Sequence, residues 1–230
     1  MDRAVRTELT LQRRKSLAEQ ISDTLVEAIG LGVLKPSERI VEAEIAARFK
    51  VSRVPVREAL KILVTQGILE GEPHKGLHVI AIDETMIDRI CEARLAVEVI
   101  AVKTLMAAPE LMVELDESLD QRIADMATQV SRNDLTGVNQ ADIAFHADLC
   151  LISKNRIVWT LWQAIARHVW IVFGREILSE KAISNIVQEH EELRAAILSG
   201  DEERGVRALQ EHIFRQRMNH RSARSSTNAS

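Results

Sequence analysis

The order of short periodic segments between Ser16 and Ile80 restricts the fold more than any other feature of the chain. Leu17, Ile21, Leu25 and Ile29 recur every fourth residue, Ala18, Val26 and Ala28 widen the stripe, and Gly30 and Gly32 close it, which predicts an amphipathic helix. KPSER then turns into a second short helix around Val41–Phe49, and Lys50-Val51-Ser52 leads into a third around Arg53–Gln66, ended by Gly67. Ile68-Leu69-Glu70 and Leu77-His78-Val79-Ile80 alternate on either side of Gly71-Glu72-Pro73-His74-Lys75-Gly76, the pattern of a β-hairpin with a long tip. Three helices and a hairpin, in this order and this close together, predict a winged helix-turn-helix.

Beyond Asp83 no strand pattern follows, and the chain divides into six predicted helices at 83–106, 109–130, 134–152, 156–174, 179–199 and 201–220. Their connections are short, so they should pack as antiparallel neighbours in a bundle with an interior able to hold ligands or metals. The expected fold is therefore mainly α, with a flexible arm at 1–15, a DNA-binding domain at 16–81, an all-α domain at 82–221 and a disordered tail at 222–230. Apolar residues make up 46% of the 230 and Gly plus Pro are few, which excludes a disordered or fibrous chain. Cys91 and Cys150 lack metal-finger spacing and fit core residues of a protein in a reducing cytoplasm. No run reaches the roughly 18 apolar residues of a membrane span.

Val56, Ala59, Leu60 and Leu63 bury one face of the third helix, which brings Arg53, Arg57 and Lys61 together on another. Such a row suits the major groove, where arginine can bond guanine O6 and N7 as a pair or hold flanking phosphates. Ser52 is placed to cap the helix start, and His74, Lys75 and Gly76 at the hairpin tip are placed to enter the adjacent minor groove. A basic row alone is more often a solvated face, but here it sits inside the complete helix–turn–helix–hairpin order. Residues 1–82 carry 13 Lys+Arg against 11 Asp+Glu, and residues 83–230 carry 17 against 23, so any contact with DNA is local. The stretch from Leu25 to Val79, with SRVPVREAL, QGIL and HKG, resembles the GntR family of bacterial transcription regulators. The resemblance implies DNA contacts by Ser52, Arg53 and Arg57 and a wing contact by Lys75-Gly76. Family members usually carry Pro-Gly where this chain has Pro36-Ser37, for which a local backbone adjustment is expected; some carry a DNA-touching arginine where Ala43 stands.

Asp142 and His146 lie four apart on one predicted helix, while His190 and His212 sit beside inward apolar positions of two others. Imidazoles and a carboxylate suit Zn²⁺, Ni²⁺ or Mn²⁺, although a lone inward histidine is more often a hydrogen-bonded core residue. ADIAFHADLC with ISKN, and QEHEELRAAILSGDEERGVRALQEHI, resemble the FCD effector domain of the FadR branch, and the six-helix count resembles its VanR-like group. That resemblance implies that Asp142, His146, His190 and His212 hold a divalent ion, most simply Zn²⁺. Arg94, within an R-x-x-x-E pattern, is placed either to grip a small organic acid effector or only to pair with Glu98 along its helix. His168, among Trp159, Trp162 and Trp170, reads as aromatic packing near the pocket wall.

Together these features predict a cytoplasmic, ligand-responsive regulator, a repressor acting as a homodimer on a pseudo-palindromic double-stranded DNA operator. One alternative makes the ion itself the signal. The other, a metal-dependent hydrolase, finds no H-E-x-x-H, G-x-S-x-G, Walker or dinucleotide fingerprint in the chain.

Overall fold

The computed structural model describes residues 15–72, 76–173 and 180–227. The first helix, α1 (Leu17–Gly30), begins at a reciprocal cap in which Glu19 N–H donates to Ser16 Oγ at 3.2 Å and Ser16 N–H to Glu19 Oε2 at 2.7 Å. It buries Ile21, Leu25 and Ile29 against α3 (Arg53–Thr65), with the short α2 (Glu42–Phe49) between them in sequence. Val56, Ala59, Leu60 and Leu63 are buried as their spacing requires, so the rotation of α3 is fixed and its basic row faces outward. Ser52 sits at the N-cap with an extended backbone, but its side chain makes no capping bond, contrary to expectation; its hydroxyl stays exposed instead.

The hairpin strands β2 (Leu69–Glu72) and β3 (Gly76–Val79) pair antiparallel with Leu69 opposite Val79. A further strand, β1 (Arg39–Ile40), pairs with the other edge of β3, giving the order β1-β3-β2. Two residues carry no readable period, so only a turn is predicted here. That turn keeps its form without glycine. Glu38 N–H donates to Lys35 O at 3.0 Å, Pro36 takes the second position, and Ser37 adopts φ 62°, the left-handed conformation a type II turn demands at its third. The turn is tied across the sheet edge: Ser37 N–H donates to Val79 O and Val79 N–H to Glu38 O. Ser37→Gly should relieve left-handed strain at some expense in chain entropy, raising stability by about 0.5–1 kcal/mol, visible as a higher urea midpoint at unchanged slope.

The second domain consists of α4 (Glu84–Met106), a 3₁₀ turn at Pro109–Leu111, α5 (Met112–Ser131), α6 (Leu135–Ile152), α7 (Arg156–Phe173), α8 (Glu180–Leu198) and α9 (Glu202–Thr227). Asp83, Asp134 and Asn155 cap three of these starts with side-chain oxygens. Consecutive helices α5–α6, α6–α7 and α8–α9 pack as neighbours, and α4 crosses to touch α6, α7 and α9. The last helix runs past 220 into the stretch expected as a tail, since Ser222 to Thr227 include no glycine or proline to stop it. Leu105, Leu115, Leu119, Met126, Phe145 and Leu149 are wholly buried between the helices. Cys91 and Cys150 are free, buried thiols, and burial raises both above the usual thiol range. Among the described residues no helix is long and apolar enough to cross a membrane.

Candidate metal centre and nucleic-acid interface

Three helices deliver the buried polar centre. α6 supplies Asp142 and His146, one turn apart; α8 supplies His190 and α9 supplies His212, and one ligand atom from each lies within 4.8 Å of the others. All four side chains are buried. His146 Nδ1 lies 2.6 Å from Glu98 Oε2 and His190 Nδ1 lies 2.7 Å from the carbonyl of Ile186, so both rings carry their proton on Nδ1 and turn the Nε2 lone pair inward. Those lone pairs meet other acceptors: His146 Nε2 stands 3.2 Å from His212 Nε2, and His190 Nε2 stands 3.0 Å from Asp142 Oδ1. The His190 contact has ion-pair distance but not hydrogen-bond direction, and His212 Nδ1 has no hydrogen-bond partner among the described residues, leaving both buried atoms orphaned. Two ligands each about 2.0–2.1 Å from one ion stand roughly 3.0–3.4 Å apart, which matches these separations. His146 Nε2 and Asp142 Oδ1 stand 3.9 Å apart and the four donor atoms lie within 4.8 Å of one another, a set that could hold a divalent ion.

A second layer surrounds the donors. Glu98 Oε1 accepts from Arg94 Nε at 2.6 Å, and Arg94 Nη1 donates to Gln216 Oε1 at 2.6 Å. Gln216 Nε2 in turn donates to Asp142 Oδ1 at 2.9 Å. The Arg94–Glu98 pair does form along α4, yet it does more than brace that helix, because the second Glu98 oxygen orients His146. Arg94 Nη2 is buried without a hydrogen-bond partner among the described residues, and the guanidinium lies 5.8 Å over the Trp162 ring. Burial works against the charge on Asp142, but the positive charge around it, the Arg94 guanidinium included, holds the carboxyl well below the usual range. Glu98 is lowered by His146 and Arg94 against the same burial penalty. The sequence reading has Glu98 only as a helix partner of Arg94 and lacks Gln216; the one signal for Gln216 was its position four residues beyond His212.

On the face of α3 expected to meet DNA, Arg53, Arg57 and Lys61 are all exposed. Arg57 is not free. Its Nε and Nη2 donate to Glu42 Oε2 and Oε1 at 3.0 and 2.9 Å, a two-pronged pair that lowers the Glu42 carboxyl and raises the guanidinium. Lys61 likewise pairs with Glu58 at 2.9 Å. Gly76 opens β3 with φ 87°, while His74 and Lys75 lie outside the described residues. His168 turns Nδ1 toward the carbonyl of Ala164 in its own helix. Of the three tryptophans around it, Trp162 approaches the metal centre, whereas Trp170 packs onto the first domain rather than a pocket wall.

A winged helix-turn-helix joined to a helical bundle with a buried carboxylate–imidazole centre is the architecture of a DNA-binding regulator. The chain belongs to the gntR family of bacterial regulatory proteins, whose model matches residues 17–79, followed by an FCD domain at residues 89–215. It is 25% identical over 197 residues to the HTH-type transcriptional regulator YdhC of Bacillus subtilis (strain 168), covering 85% of each chain. It is 26% identical over 207 residues to a gluconate operon transcriptional repressor of Bacillus licheniformis, covering 87% of this chain and 83% of that one. The crystal structure of a GntR transcriptional regulator from Rhodococcus sp. RHA1 shares the fold, with TM-score 0.73 at 22% identity over 89% of this chain and 97% of that one. The family and these relatives are transcriptional regulators, not enzymes.

Proposed function

We propose that this protein is a repressor whose affinity for its operator is set by a small organic acid bound at a divalent ion, most simply Zn²⁺, inside the bundle. The convergence of Asp142, His146, His190 and His212, with buried lone pairs facing one another, carries this reading. These four residues would hold the ion, which supplies Lewis acidity to fix a carboxylate oxygen. The free Nη2 of Arg94 supplies a donor of the right charge beside it. A homodimer is supported by an exposed apolar face shared by two packed helices: Ala93, Ala96 and Ile100 on α4, with Ile157 and Leu161 on α7. Two such chains present two recognition helices to a pseudo-palindrome.

Within α3, Arg57 keeps the N–H groups of Nη1 and the outer N–H of Nη2 for DNA while Glu42 holds its inner edge. Ser52, Arg53 and Lys61 flank it, and Lys75, Gly76 and His74 form the wing contact. Arg57→Ala should weaken operator binding by about 1–3 kcal/mol with the fold unchanged by circular dichroism. Glu42→Gln removes a competing carboxylate and its repulsion of phosphate, so it should tighten binding to unrelated duplexes and narrow the gap between specific and non-specific affinity.

The test is fluorescence anisotropy with a duplex selected from a random library by the protein itself, before chelation, after it, and after Zn²⁺ is restored. Binding that is lost and recovered supports the proposal. Binding that persists once elemental analysis shows the ion gone leaves a regulator whose bundle centre is not linked to DNA. Affinity that follows free Zn²⁺ alone, with no response to any organic acid, makes the ion the signal.

A further inference from the structure

α7 works on two sides. Val158, Trp162, Val169 and Val172 are buried toward the bundle, and the Trp162 ring lies 6.3 Å from the His146 ring and beneath the Arg94 guanidinium. Arg167, Trp170 and Ile171, spaced three and four apart, form a second stripe that leaves the bundle altogether. Ile171 is buried inside the apolar core of the first domain with Ile21, Leu25, Ile29 and Leu63. The Trp170 indole lies so close over Gly30 that a Cβ there would stand 2.1 Å from its Nε1. Arg167 then closes a polar clasp: Nη1 donates to Ser22 Oγ at 3.0 Å and Gln66 Oε1 at 2.9 Å, and Nη2 donates to the Asp23 carboxylate.

Two of these acceptors belong to α1, but Gln66 is the C-cap of α3, the helix that carries Arg53 and Arg57. A single rigid helix thus touches the metal–arginine network at Trp162 and the end of the recognition helix at Arg167, five residues or about 7.5 Å further along its axis. Helix shifts of an ångström or two are the usual currency of such transitions, and a polar clasp can exchange partners where a packed core cannot.

We infer that Arg167 is a positioning residue for DNA reading, through which the state of the bundle centre reaches α3 by way of α7. The inference rests on the metal-linked reading above and adds its route. Its test is the ratio of operator Kd in the chelated protein to that in the Zn²⁺-loaded protein, measured on the full-length chain. Wild type should show a ratio of at least about fivefold, the lower range of ordinary allosteric coupling. Arg167→Met keeps the stem without the fork, and Arg167→Lys keeps a charge for Asp23 but cannot span three acceptors. In both, the ratio should fall below about twofold while zinc content and helicity stay as in wild type. Gln66→Leu, which spares Arg167 and its bonds to α1, should reduce the ratio in the same direction and guards against a variant that merely folds poorly. Variants that weaken binding equally in both states, leaving the ratio at its wild-type value, would make the clasp structural only and overturn the inference. A wild-type ratio near one would instead sink the metal-linked reading itself, and this route with it.

Discussion

Glu98→Ala should lower the unfolding free energy by about 3–5 kcal/mol, the loss typical when one member of a buried ion pair is removed and its partner stays charged in the interior. Glu98 and Arg94 are both buried, and the carboxylate serves Arg94 through one oxygen and His146 through the other. Alanine would leave the guanidinium, whose Nη2 already lacks a partner, to Gln216 alone and would release the His146 ring, one of the four candidate metal donors. Glu98→Gln keeps one acceptor and should fall between wild type and alanine. Urea unfolding reads the change as a shifted midpoint at constant slope. Metal affinity should drop about 10–100-fold alongside, as is usual when a residue orienting a ligand is lost. An alanine variant as stable as wild type would mean that Arg94 and His146 find other partners.

On the proposed function, removing the ion held by Asp142, His146, His190 and His212 should have the next largest effect. At free metal 1,000 times its Kd, binding to the folded state alone contributes about 4 kcal/mol. In a chain of this size that corresponds to a fall in Tm of about 8–16 °C on chelation. The same centre sets a pH dependence. Burial, and then the neighbouring Arg94 charge, lowers His146 below its ordinary 6.5; burial, with His190 and His146 beside it, lowers His212 well below 6.5. A histidine held neutral by the fold takes up its proton more readily in the unfolded chain. Stability is therefore complete above about pH 6.5 and is lost as pH falls below that value toward the lowered folded values. Protons compete with the metal for the same lone pairs, so both effects run in one direction. Calorimetric scans between pH 7.5 and 5.5 should show Tm falling with acidification, more steeply when metal is scarce. A flat or rising Tm over that range would contradict neutral, buried histidines.

How much of this was legible beforehand differs between the two domains. The winged domain follows from local patterns: a four-residue apolar recurrence in α1, glycines after α1 and α3, and alternation on both hairpin strands. What escaped there was short or conformational. β1 is two residues long, and the left-handed Ser37 could be recognised only once it and Glu38 were seen bonded to Val79. In the bundle, the helices were placed to within a few residues, apart from the start of α5 and the extended end of α9. The role of Glu98 was half visible, as a helix partner of Arg94, while its contact with His146 crosses 48 positions and has no local trace.

The sequence by itself determined which segments are helical, which face of each is apolar, and that Asp142 and His146 project together, because all of these depend on the pitch of one backbone. Tertiary structure alone decided what stands opposite each face. Only the rotation and crossing of packed helices bring His212 within 3.2 Å of His146 from 66 residues away, turn the inner edge of Arg57 to Glu42, and send Trp170 and Ile171 from the bundle into the core of the neighbouring domain. Periodicity states that a side is buried; partners are chosen by shape and charge among surfaces that the chain brings together only when folded.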